Sequence, residues 1–204
     1  MEPHHQDLTV HSSDYTLIEA EMQMTLIELF IMSRCPDAVS AEVVFSQASK
    51  SFPADARIKL ECITNQDGSC KHGELECNGN KIELAVEAVM GMSFNILNFT
   101  DLYNRNFEQI GVVPLKHLDD CLSAAGLTTA QKAAVIQTYE AKGDELMQKS
   151  GKYTQSLGVR YSCTVRINGE IVGIRDNNAW KELKHGIDGS PESWSKFVNK
   201  VSNH

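Results

Sequence analysis

The sequence predicts an α/β fold in which strand, helix and strand are followed by a helical insertion, a C-terminal β-hairpin and a final helix. Three observations predict it. Residues 24–32 are apolar nearly throughout and run straight into Ser33, Arg34, Cys35 and Pro36, the pattern of a central buried strand leading into a helix start. Asn168 and Gly169 separate two strand-like segments, and this pair favours a two-residue hairpin turn. Finally, Trp194, Phe197, Val198 and Val201 recur on one face of a C-terminal helix.

The elements follow in order. Residues 1–24 are expected to form an N-terminal arm, of which 1–14 carry few apolar positions and His4, His5 and His11 could bind a metal only loosely. Thr25 to Met32, interrupted by Glu28, has the length of a strand. Pro36 and Asp37 suit a first helical turn, because proline lacks only an already orphaned N–H and an acid faces the positive end of the dipole. That helix runs to about Lys50. Residues 57–63 alternate with period two and place Ile58, Leu60 and Cys62 on one face of a second strand. Together they make a βαβ unit with a right-handed parallel crossover.

Residues 65–80, polar and containing Gly68, Gly73 and Gly79, read as a loop. Helices are expected over 81–98, 115–125 and 128–155, with Leu115, Leu118, Leu122 and Leu146 at packing positions. They form an insertion at about 81–157. Strands return over 163–167 and 170–174, and Ser190, Pro191 and Glu192 start the last helix. This order is that of a thioredoxin fold, a single domain over 25–204 with helices inserted before its C-terminal hairpin.

The chain has 204 residues, 42% of them hydrophobic and 23% charged, which is the composition of an ordinary globular protein. Its 19 Lys+Arg against 27 Asp+Glu leave a net charge of −8. A polyanion would be repelled, so nucleic acid is excluded as a partner. Lys181, Lys184 and His185 read as a solvated helix face. No run reaches the ~18 apolar residues needed to span a bilayer. The acidic N-terminus lacks the basic start and apolar run of a secretory signal, so no signal peptide is expected within these residues, whether one was removed or never present.

Chemistry is expected at the cysteines. Six are present: Cys35, Cys62, Cys70, Cys77, Cys121 and Cys163. Cys35 closes the first strand and opens a helix, where backbone N–H groups and the helix dipole favour its thiolate. Arg34 adds positive charge nearby, and Asp37 opposes it if its carboxylate points at the sulfur. The third residue after Cys35 is Ala38, so no resolving thiol follows in a CxxC motif. A mixed disulfide on Cys35 would be released by an external thiol such as glutathione, or by Cys163 at the start of the returning strand. Cys70 and Cys77 suit a disulfide in an oxidising compartment. In a reducing one they could join His72 in a zinc site, with Glu74 or Glu76 as further ligands, but a clear fourth ligand is missing. No resident metal or cofactor is expected. Asn98 begins an N-glycosylation sequon, meaningful only on a secretory route.

Cys70, His72, Gly73, Glu76, Cys77 and Asn80 fall at the spacing Cys-x-His-Gly-x-x-Glu-Cys-x-x-Asn. This resembles the signature of the gamma-interferon-inducible lysosomal thiol reductase family. The segment 32–38 is similar to the active-site segment of that family's fungal members, as is the segment 162–170 followed by Ile174, Arg175, Asp176 and Trp180. The resemblance covers about residues 25–201 and marks the chain as a divergent, fungal-like member. It implies a thioredoxin-like fold with a helical insertion and the reduction of disulfide-bonded protein substrates in the secretory pathway, the lysosome or vacuole, or outside the cell. Cys35 carries over as the attacking thiol. The chain departs from the pattern at Ala38 and Ala41, where relatives carry resolving cysteines, and at Ala85, Gly173 and Leu183.

The expected function is therefore thiol–disulfide exchange through Cys35 without the usual resolving cysteine. Two alternatives stand beside it: a catalytically degenerate thioredoxin-fold binding module, and a zinc-stabilised scaffold. His72 and Glu76 are assigned to loop structure rather than to proton transfer.

Overall fold

A computed structural model of the chain describes residues 24–112 and 116–202. Residues 1–23 of the N-terminal arm, with its histidines, and Leu115 lie outside the described residues. Five strands form one sheet in the order β2-β1-β3-β4-β5. They are β1 (Leu26–Ile31), β2 (Arg57–Cys62), β3 (Thr164–Ile167), β4 (Glu170–Asp176) and β5 (Ala179–Lys181). The helices are α1 (Pro36–Ala48), α2 (Glu74–Met90), α3 (Asn95–Asn104), α4 (Lys116–Ala124), α5 (Thr129–Ser156) and α6 (Pro191–Ser202).

β1 and β2 are parallel and joined through α1, with Leu26 opposite Arg57 and Ile31 opposite Cys62. β3 returns antiparallel on the other side of β1. β1 is thus central and buried on both faces, which is why its sequence is apolar nearly throughout. Ile27, Leu29 and Ile31 enter the main core with Phe45, Trp194 and Val198, contributed by α1 and α6. Phe30 belongs to a second cluster with Met32, Ile63 and Val159, against which Tyr153 of α5 packs. Glu28, buried on that second face, accepts hydrogen bonds from Arg166 at 2.7 Å and the Tyr153 hydroxyl at 2.6 Å. A carboxylate can be buried there because both oxygens are satisfied.

The expected hairpin is present: Asn168 and Gly169, both at positive φ (48° and 85°), turn β3 into β4, the backbone a type I′ turn requires. Trp194, Phe197 and Val198 on α6 are buried as their spacing predicts.

Four expectations are corrected. The polar segment 65–80 is a loop only as far as Gly73, whose φ of 83° starts α2. Glu74 and Glu76 then occupy the first turn, where acids suit the dipole. The expected helix over 81–98 is two helices, because Gly91 at φ 70° ends α2 at Met90. A fifth strand follows Asn177 and Asn178, both in the left-handed region that asparagine tolerates. Lys181, Lys184 and His185 are consequently not on a helix: Lys181 ends β5, while Lys184 and His185 pair with Glu170 from the loop beyond it.

Candidate active site

Cys35 is the N-cap of α1, with Pro36 in the first turn. Its backbone N–H donates to the Met32 carbonyl at 2.8 Å, and its own carbonyl accepts from Val39 at 3.1 Å. These bonds fix the turn between β1 and α1. The side chain is half-buried, packs against the cluster of Phe30, Met32, Ile63 and Val159, and directs its thiol at the Ser162 carbonyl, 3.6 Å away.

Each of the three residues before Cys35 is tied to a different part of the fold. The Met32 N–H donates to the Ser162 hydroxyl at 2.9 Å. The Ser33 N–H donates to Asn80 Oδ1 at 2.9 Å, and the Ser33 hydroxyl to the Glu76 carbonyl at 3.0 Å. The Arg34 guanidinium donates to the Ile110 carbonyl at 3.0 Å and lies 4.9 Å from the centre of the Phe107 ring. The Asp37 carboxylate is engaged by the β4–β5 turn: it accepts from the Asn178 N–H at 2.9 Å and lies 3.7 Å from Arg175 Nε.

The segment Cys70–Asn80 supports the turn from below. Cys70 and Cys77 are joined by a disulfide, so neither sulfur is a thiolate available to a metal. The His72 ring pairs with the Glu76 carboxylate, which also accepts from the His72 N–H at 3.4 Å. This pair ties His72, in the loop before α2, to Glu76 in the first turn of the helix. Asn80 bridges the two regions, accepting from Ser33 with its oxygen while its amide nitrogen lies 3.8 Å from Cys70 Sγ. Gly79 permits this approach: a Cβ there would stand 2.3 Å from the Ser33 hydroxyl.

Cys163 follows Ser162 through a cis peptide bond and is fully buried and unpaired. Burial pushes its thiol well above the ordinary value, with Glu42 and Cys35 adding to the rise and Arg175 opposing it. Ala38 and Ala41 point into the core from α1. Asn98 is exposed on α3, while Thr100 of the same sequon is buried and bonded to the Leu97 carbonyl.

The sequence reading missed Ser33, Ser162 and a buried acidic group around Glu42. Glu42 sits on the inward stripe of α1 with Ala38, Ala41 and Phe45, and a charged residue at a core spacing is the signal that could have revealed it. Burial pushes its carboxyl up to about 8, against a hydrogen bond from Asn104.

The class of protein that fold and site define is a thioredoxin fold with a cysteine at the N-cap of its first helix. No family model matches the chain, and no curated protein matches it in sequence. Solved structures do match. Reduced DsbA1 from Neisseria meningitidis aligns at 17% identity and a TM-score of 0.53, covering 89% of this chain and 87% of that one. Oxidised BdbD from Bacillus subtilis aligns at 14% identity and a TM-score of 0.55, covering 88% of each. Pseudomonas aeruginosa DsbA aligns at 18% identity and a TM-score of 0.52, covering 89% and 83%. The chain therefore has the fold of DsbA-like thiol–disulfide oxidoreductases. Among the described residues, no helix is long and apolar enough to cross a membrane.

Proposed function

We propose that the chain is a monothiol thiol–disulfide oxidoreductase that reduces disulfides in protein substrates, with Cys35 as its nucleophile. The observation that carries this reading is the half-exposed Cys35 sulfur at the N-terminus of α1, on a turn whose preceding residues are individually anchored. A helix N-terminus favours negative charge, and the thiolate is the form that attacks a disulfide. Attack joins Cys35 to one substrate sulfur, and the other leaves as a thiolate and takes up a proton. An external thiol then releases the mixed disulfide. Cys163 is less suited to that step, because burial holds it as a thiol.

The reducing direction and the kinship with gamma-interferon-inducible lysosomal thiol reductases rest on the signature resemblance. Two features support them. Cys70, His72, Glu76, Cys77 and Asn80 all engage one another or the turn before Cys35. Gly173 and Leu183, where fungal relatives carry cysteines, are neighbours: a Cβ at 173 would lie 2.9 Å from Leu183 Cδ2. The Cys70–Cys77 disulfide also suits a secretory or lysosomal compartment, where such bonds persist. The lack of cysteines at 38 and 41 favours the second reading, a fold retained for binding.

Insulin reduction with glutathione as the electron source separates the two readings. Wild-type protein should reduce insulin and give a Cys35–glutathione adduct by peptide mass mapping, and Cys35→Ser should abolish both. Undiminished activity in Cys35→Ser would remove Cys35 from the reaction. A wild-type chain that neither reduces insulin nor forms an adduct would be a binding module.

A further inference from the structure

A cavity of about 410 Å³ lies at the C-terminal ends of β1 and β2, next to the loop that leads into Ser162. This is within the range of small-ligand sites, about 300–1,000 Å³. Its apolar floor is made by Met32, Ile63 and Val159, and the same three residues belong to the cluster on which the Cys35 side chain packs. A ligand seated there adjoins the environment of the nucleophile.

The charge of this cavity is opposite to that of the molecule. The chain carries a net −8, yet the lining includes Lys71 and Arg160 and no aspartate or glutamate. Both cations are exposed, and neither makes an ion pair among the described residues. Asp67, in the adjoining loop, is turned to Ser69, whose N–H and hydroxyl donate to it at 3.0 and 2.7 Å. Asn65 and Gln155 add neutral polar groups to the rim. An apolar floor belonging to the cluster on which Cys35 packs, together with two cations that make no ion pair among the described residues, suits a small thiol that carries carboxylates.

We propose that this cavity is the binding site of the external reductant, an anionic peptide thiol of the glutathione class, held by Lys71 and Arg160. The proposal rests on the reading of Cys35 as the exchanging thiol and supplies the partner that resolves it. In the balanced sequence, the Cys35 thiolate attacks R–S–S–R′, forming Cys35–S–S–R and releasing R′S⁻, which takes up a proton. A first peptide thiolate attacks Cys35 Sγ, forming a Cys35–peptide disulfide and releasing RS⁻, which is also protonated. A second peptide thiolate attacks the peptide sulfur of that bond, restoring the Cys35 thiolate and leaving the oxidised peptide dimer. Two electrons pass from two peptide thiols to one substrate disulfide.

Two measurements on the full chain test this. The first is calorimetric titration with S-methylglutathione, which keeps the carboxylates and cannot exchange. It should show saturable binding that weakens with salt and weakens by about tenfold in the double variant Lys71→Glu/Arg160→Glu, the scale of two exposed charge pairs reversed. The second is the rate of Cys35 adduct formation with glutathione disulfide, divided by the rate with the uncharged bis(2-hydroxyethyl) disulfide. That ratio should fall by a similar factor in the double variant. An unchanged ratio together with no S-methylglutathione binding would overturn the cavity assignment while Cys35 still exchanges. Failure of wild-type Cys35 to react with either disulfide would instead overturn the exchange reading, and binding lost in the variant would still support the cavity.

Discussion

At Cys35 the positioning is done by backbone and by neighbours, since among the described residues the thiol's one polar contact is to the Ser162 carbonyl at 3.6 Å. Asn80 is the most exposed point of failure in that arrangement. It is fully buried and is the acceptor for the Ser33 N–H, two residues before the nucleophile. Asn80→Ala leaves that donor buried and unpaired, a loss of about 1–3 kcal/mol. We expect a lower Tm and slower Cys35 alkylation, whereas Asn80→Asp, which retains an acceptor oxygen, should recover part of the alkylation rate. Equal alkylation rates in wild type and Asn80→Ala would show that the turn holds without this bond. Cys35 and Pro36 were legible in the sequence because strand end, cysteine and helix start are contiguous. Ser33 and Ser162 were not, because their partners lie 47 and 130 residues away along the chain, and nothing local marks a serine as an anchor.

Among the elements, α5 carries the heaviest structural duty on the second face of the sheet. Over 28 residues it supplies Tyr153 to Glu28 and Ser150 to the Cys62 N–H, and Gln155 near its C-terminal end lines the cavity floored by Met32, Ile63 and Val159. Its start is fixed by a reciprocal cap: Gln131 N–H donates to the Thr128 hydroxyl, and the Thr128 N–H donates to Gln131 Oε1 at 3.0 Å. Thr128→Ala removes that cap at the end of the helix remote from Cys35. It should cost about 1 kcal/mol, a fall in Tm of about 2–4 °C for a chain of this size, with Cys35 alkylation unaltered. A Tm equal to wild type would mean that the first turn is held by packing alone. The sequence located this helix within a residue at each end, since its length and cap are local properties. It placed the start of α2 too late because Asn78, Gly79 and Asn80 look like breakers. Gly79 is instead the small residue that Ser33 requires, and Asn80 the acceptor for Ser33. These are tertiary demands that override helix propensity.

Across the whole molecule, the acids buried in the core set how stability follows pH. Glu42 on α1 accepts from Asn104 on α3, and neither carboxyl oxygen of Glu83 on α2 is hydrogen-bonded among the described residues. Burial pushes Glu42 and Glu87 up to about 8, and lifts Glu83 well above its ordinary value with Glu42 and Glu76 adding to the rise. In the unfolded chain all three titrate near the usual ~4.3. Between that value and about 8 the folded state holds more protons than the unfolded one, so stability falls as pH rises through this window. Asp188 acts in the opposite sense, because hydrogen bonds from Ser190 push its carboxyl down to about 2, but its contribution disappears only at more acid pH. The chain should therefore have a higher Tm at pH 5 than at pH 8, by about 5 °C or more for a domain of this size. Glu42→Gln keeps an acceptor for Asn104 and removes a charge, so it should raise Tm at pH 8, leave it near wild type at pH 5, and flatten the profile between them. A wild-type Tm that is flat or rising from pH 5 to 8 would mean that these carboxyls are ionised and solvated in the folded protein. The expected slope would instead suit a molecule built to work where the surroundings are acidic, as the proposed lysosomal or vacuolar setting is.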